Sequence, residues 1–160
     1  MKDLKIGLSD KPSVFFKQVA KDFRVMSYKH NIDMDIWFDN QDDNKCEVCL
    51  AGAVVLSRMG KRELTRINDH EGVDPGTLED YDHISYSTGE KLRALNFFRS
   101  GMPNAFAANF KNGFRRRAPA NLIRFLDEFK EVDGQVDEED IQVVHEALLI
   151  ASDICKEAGM

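Results

Sequence analysis

Cys46 and Cys49 stand three residues apart in the segment NKCEVCLAGAVV, residues 44–55. A Cys-x-x-Cys pair supplies half of a structural zinc site, which needs two further ligands at recognisable spacing. Candidates for those ligands are His70, His83, His145 and Cys155, but no second Cys-x-x-Cys and no His-x3-5-His follows. Neither a metal site nor a cofactor is therefore expected. A thioredoxin-type pair would need a β-α-β surround, which is missing. The sharper chemistry is an activated thiol. If Asn44 caps a helix over residues 45–58, Cys46 lies in its first turn. Unpaired backbone N–H groups and the helix dipole there favour thiolate. With His70 or His83 as general base, Cys46 would be the nucleophile of a cysteine hydrolase. The simpler expectation is that Cys46 and Cys49 are small buried hydrophobes with no catalytic role.

A second group of potential donors lies in NDHEGVDPGTLEDYDHISY, residues 68–86, which holds Asp69, His70, Glu71, Asp74, Glu79, Asp80, Asp82 and His83. It lacks the spacing of a calcium-binding loop, and its Asp-Pro-Gly turn points to a solvated acidic loop. No glycine-rich phosphate loop or nucleophile elbow is present.

Charge gives the strongest functional signal. The chain of 160 residues has a net charge of −6, but residues 91–125 hold eight bases and no acid. Residues 31–90 hold five bases and fourteen acids, and residues 126–160 hold two bases and eleven acids. A +8 block thus lies between two −9 blocks. Its bases are Lys91, Arg93, Arg99, Lys111, Arg115, Arg116, Arg117 and Arg124, interleaved with Phe97, Phe98, Phe106, Phe110 and Phe114. Bases with aromatics suit nucleic acid, through phosphate contacts and stacking. The phenylalanines also fall at core spacing, and a pI near 5.2 argues against a general nucleic-acid binder. A protein partner is therefore expected, bound through Arg115, Arg116, Arg117, Lys111 and Arg99. A nucleic-acid partner for residues 91–125 is the alternative. Internal compensation of the block would come from the acidic start of the last helix and from the loop at 68–86.

The elements that must position these residues are mainly helical. Phe15, Val19, Phe23 and Met26, joined by Phe16 and Ala20, mark a first helix with Ser13 as its cap. IDMDIWFD, residues 32–39, alternates with period two, as a half-buried strand does. Cys46, Val48 and Leu50 alternate as well, and a short hairpin near residues 32–50 would satisfy both. The competing helix over 45–58 is preferred for its length and apolar run, with Ala51, Gly52 and Ala53 allowing another helix to approach. A short helix is expected in GKRELTRIND. Further helices are expected from Ser87 or Thr88 to Gly101, from Pro103 to a stop at Gly113, and from Pro119 with Leu122, Phe125, Leu126 and Phe129. The last helix is capped by Asp137, carries Glu138, Glu139 and Asp140 in its first turn, and buries Ile141, Val144, Leu148, Ala151 and Cys155. His145 borders that stripe. About five to six helices in one mainly α domain over residues 1–160 are expected.

At 42% hydrophobic and 31% charged the composition is that of a globular protein. The start of the chain lacks the apolar core of a signal peptide, and no apolar run approaches a membrane span. Three cysteines without an export signal read as reduced thiols in a cytosol.

At KCEVCLAGAVV and KLRALNFFRSG the chain resembles small uncharacterised proteins encoded by bacteriophages and prophages. These carry a Trp-containing stretch, a Cys-x-Val-Cys-Leu-Ala-Gly-Ala segment and a Lys-Leu-Arg-Ala-Leu segment. Here they fall at Trp37, at Cys46 to Ala53, and at Lys91 to Leu95, about a third of the chain. The resemblance implies no catalytic residues. It implies a phage accessory protein that acts in the host cytoplasm by binding a host protein, such as a component of a defence system.

Overall fold

A computed structural model describes residues 6–40, 45–71, 84–129 and 131–160, with the backbone alone for 67–71. The apolar stripes read from the sequence organise it. The first helix, α1 (Pro12–Lys29), and the last, α7 (Glu138–Glu157), lie antiparallel as the most extensive helix pair after α4 with α5. Phe15, Phe16, Val19 and Phe23 of α1 and Val144, Leu148 and Ala151 of α7 are buried in one contiguous core. The pair is tied at both ends. Ser152 Oγ donates to the Ser13 carbonyl at 2.6 Å, and Arg24 pairs with Glu138. Burial of each large side chain stabilises the fold by about 1.5–3 kcal/mol.

Between these helices the chain forms α2 (Leu50–Met59), α3 (Lys61–Glu71), α4 (Tyr86–Ser100), α5 (Pro103–Phe114) and α6 (Ala120–Glu128). The mainly α expectation is correct, with seven helices among the described residues. The short β element is a three-stranded sheet of β1 (Asn31–Ile32), β2 (Phe38–Asp39) and β3 (Glu47–Val48) in the order β1-β3-β2. The β2–β3 pair is antiparallel, as in the expected hairpin, while β1 pairs with β3 in parallel. The segment before α7 extends this sheet: Met34 N–H donates to the Gly134 carbonyl at 2.8 Å, and Val136 N–H donates to Ile32 at 3.0 Å.

Several local expectations are corrected. Residues 32–39 are not one strand. The Asp33 carboxylate accepts the Asp35 N–H at 3.0 Å, and this side-chain turn breaks the extended run. Trp37 consequently faces the core, although strict alternation sets it on the side opposite Ile32, Met34, Ile36 and Phe38, with Asp33, Asp35 and Asp39. The expected helix over 45–58 begins only at Leu50, because β3 occupies Glu47–Val48 and Cys49 is the N-cap. The expected cap, Asn44, lies outside the described residues.

The close neighbour of Gly52 is a loop backbone and not another helix. A Cβ there would overlap the Trp37 carbonyl oxygen and lie 3.2 Å from its carbonyl carbon. Ser13 is inside α1, with Lys11 as N-cap and Pro12 at the first helical position. Ser85, and not Ser87 or Thr88, caps α4. The acidic loop is shorter than expected at its start, since α3 runs through Glu71; residues 72–83 lie outside the described residues.

Candidate functional site: an exposed cationic end and two buried thiols

The basic block divides in two because α4 and α5 fold back on each other. Gly113 makes the close approach possible. A Cβ at that position would meet Lys91 Cγ at 2.8 Å, Lys91 N at 3.1 Å and the Ser87 carbonyl at 3.3 Å. Gly113 is therefore a packing residue and not the stop expected from its type; α5 continues to Phe114 and is closed by Arg115 in the left-handed region, φ 55°. The C-terminus of α5 is thereby held against the N-terminus of α4.

Lys91, Arg93 and Arg99 are spent on the protein's own structure. Lys91 is 1% exposed, donates to Asp10 Oδ1 at 2.5 Å and places Nζ 5.0 Å from the centre of the Phe114 ring. The Asp10 carboxyl is held below the usual carboxylate range, first by the Lys91 hydrogen bond, then by the Lys91 charge, with Arg115 adding to it. Arg93 lies 3.9 Å from buried Glu90. Arg99 Nη1 lies 3.6 Å from Asp133 and donates to the Val132 carbonyl at 3.5 Å. The acids that balance these three bases are thus Asp10, Glu90 and Asp133. Of the two expected sources, the first turn of α7 pairs its Glu138 with Arg24, and residues 72–83 of the acidic loop lie outside the described residues.

The other bases face solvent. Lys111, Arg115, Arg116, Arg117 and Arg124 are exposed, and none forms an ion pair with the described residues. Arg115, Arg116 and Arg117 occupy the connection between α5 and α6, as the flanking Gly113 and Pro119 indicated. Arg99 does not join them. It sits eight residues beyond Lys91 along α4, about 12 Å toward the opposite end of the α4–α5 pair.

Among the described residues, clefts open at the cationic end. One of about 260 Å³ is lined by Asp10, Ser87, Gly113, Phe114 and Arg115. Another, of about 300 Å³, is floored by Ala107, Ala108 and Ala118 between Lys111 and Arg117. The alanines in NAFAANF were the available sequence signal for that floor, and charge counting overlooks them.

Four of the five phenylalanines of the block face inward, and Phe97 is half-buried against the same core. Phe98, Phe106, Phe110 and Phe114 are buried and form one aromatic chain with Phe15 and Phe16; the Phe110 and Phe114 rings are 4.6 Å apart. None of these four offers a ring for stacking on a base. Phosphate contacts from the exposed cations remain available.

Cys46 and Cys49 are both buried and both free. Cys46 precedes the α2 N-cap by three residues, so the helix N-terminus does not act on it as expected. Burial pushes its thiol pKa up; Lys61 opposes the shift and Asp39 adds to it. Cys49 Sγ accepts the Gly52 N–H at 3.3 Å, yet burial outweighs that bond and raises its pKa too.

Among the described residues, the imidazole beside Cys46 is that of His30, which sequence reading did not single out. Its Nδ1 accepts the Cys46 backbone N–H at 3.0 Å. A neutral ring then carries its proton on Nε2 and has no free acceptor for a thiol proton. Burial, then Lys61 and Lys29, lower the His30 pKa. The side chains of His70 and His83 lie outside the described residues. Among the described residues no cluster of three metal-ligating side chains occurs. His145 sits at the edge of the α7 stripe as expected, its pKa lowered by burial and by Arg24.

No helix among the described residues is long and apolar enough to cross a membrane. No protein-family model, curated protein or solved structure matches the chain.

Proposed function

We propose that the chain is a small phage-type accessory protein that acts without catalysis, by binding a host protein in the bacterial cytoplasm, such as a defence component. Lys111, Arg115, Arg116 and Arg117 would meet an acidic face of that partner. The observation that carries the reading is the exposure of these four cations without ion-pair partners among the described residues, in a chain of net charge −6. Folding explains them poorly, because surface ion pairs contribute only about 0–1 kcal/mol and these cations form none. Arg115 strengthens the point. A non-glycine residue in the left-handed region costs about 1–2 kcal/mol, and glycine is the usual choice at such a helix end.

Affinity purification from bacterial cells with mass spectrometry tests this. A stoichiometric host protein is expected, and Arg115→Ser with Arg116→Ser and Arg117→Ser should weaken its capture at low salt while leaving thermal stability nearly unchanged. The loss should shrink as salt rises, because screening already removes part of the attraction. Unaltered capture by the triple variant would overturn the assignment of the surface. A nuclease-sensitive co-purifying smear, with affinity for DNA or RNA falling steeply with salt, would replace the protein partner by nucleic acid.

A further inference from the structure

Two surfaces left uncovered by the described residues complement each other. The first is the groove floored by Ala107, Ala108 and Ala118, with the cations Lys111 and Arg117 on its rim. The second is the outer face of α7. There Leu149 and Ile150 remain 38% and 45% exposed. Glu146 and Asp153 flank them, exposed and without an ion pair among the described residues. Seven residues separate the two acids, two helical turns or about 10.5 Å, so all four side chains share one side of the helix. The face is an apolar knob between two anions; the groove is an apolar floor between two cations.

We infer that two copies of this chain associate head to tail, the α7 face of one copy seated in the alanine groove of the next. Leu149 and Ile150 cover the small apolar floor, and Glu146 and Asp153 meet Lys111 and Arg117. The two surfaces differ, so the contact is heterologous, and a bound pair leaves one groove and one α7 face free for further copies. Charge complementarity of this kind speeds encounter and suppresses wrong registers, and it is sensitive to salt. The inference goes beyond the host-partner reading, which does not involve α7.

Sedimentation velocity of the full chain tests it. In about 20 mM salt the weight-average sedimentation coefficient should rise with protein concentration, and in about 0.5 M salt it should return to that of the monomer. Ala108→Glu with Lys111→Glu makes the groove acidic; Glu146→Lys with Asp153→Lys makes the α7 face basic. All four positions are exposed, so both variants should fold. Each variant alone should remain monomeric, because like charges then face each other, and an equimolar mixture should associate. A wild-type chain that stays monomeric at low salt, a variant that self-associates like the wild type, or a mixture that stays monomeric would each overturn the inference. The Glu146→Lys, Asp153→Lys variant retains all four proposed partner-binding cations. Its capture of a host protein therefore reports on that reading separately from self-association.

Discussion

The backbone carbonyl of Trp37 occupies the space that a side chain at Gly52 would need, and Trp37 Cε3 lies 3.3 Å from the same point. The obstacle is backbone from the loop between β1 and β2, which cannot rotate aside as a side chain can. Gly52→Ala should therefore destabilise by roughly 1–3 kcal/mol and Gly52→Leu by more, although alanine favours helix. Urea denaturation read by circular dichroism checks both. A Gly52→Ala protein as stable as the wild type would show that the loop yields freely.

Lys91 is buried, whereas the Asp10 side chain that neutralises it is 90% exposed. Removing the acid leaves an enclosed cation; removing the cation as well leaves a methylene stem against Gly113. Asp10→Asn should cost on the order of 1 kcal/mol, less than the 3–5 kcal/mol of a wholly buried pair, because water already solvates Asp10. Lys91→Met should recover much of that loss in the Asp10→Asn background. The folded-state pKa of Asp10 is depressed, so its contribution is present above the ordinary aspartate range and is lost as pH falls through the folded pKa. Thermal melts between pH 2 and pH 6 should show a smaller acid-induced loss in Asp10→Asn than in the wild type.

Arg115 closes α5 with φ 55° and ψ 32°, a conformation that favours glycine. Arg115→Gly should raise stability by up to about 1 kcal/mol through relief of that strain, less the added chain entropy of glycine. It should also weaken capture of a protein partner at low salt. Calorimetry and pull-down on one preparation read both effects, and unchanged capture would remove Arg115 from the binding surface.

Cys155 lies fully buried on the inner stripe of α7, and burial pushes its thiol up to about 12. Below about pH 9, the ordinary value, both folded and unfolded states hold the proton; above it the unfolded chain releases its proton first. Stability from this thiol should therefore fall as pH rises from about 9 toward about 12, and Cys155→Ala should flatten that part of the profile.

Cys46 and Cys49 are also buried with raised pKa values, so iodoacetamide at pH 7 should modify all three thiols only on unfolding. Mass spectrometry of the alkylated protein checks this. Fast, selective labelling of Cys46 in the folded state would return the cysteine-hydrolase reading to the front.

The sequence alone determined the helices and their inward faces. Apolar residues recurring every three to four positions in α1 and α7 have one way to leave water together, so burial of Phe15, Val19, Val144 and Leu148 was legible from spacing. The exposure of Arg115, Arg116 and Arg117 was legible too, since Pro119 breaks any continuous helix across them, although α5 ends at Phe114 and not at Gly113. Only the tertiary structure decided what each glycine and each charge was for. Gly52 and Gly113 look alike in sequence to a helix-packing residue and a helix stop, but one faces the Trp37 carbonyl and the other Lys91. The same holds for the basic block: Lys91 is bound by Asp10, 81 positions away, and Arg99 by Asp133, while Lys111 finds no such acid among the described residues. Periodicity is a property of neighbours along one helix. Charge compensation and close backbone approach depend on which distant segments the fold brings within a few ångströms.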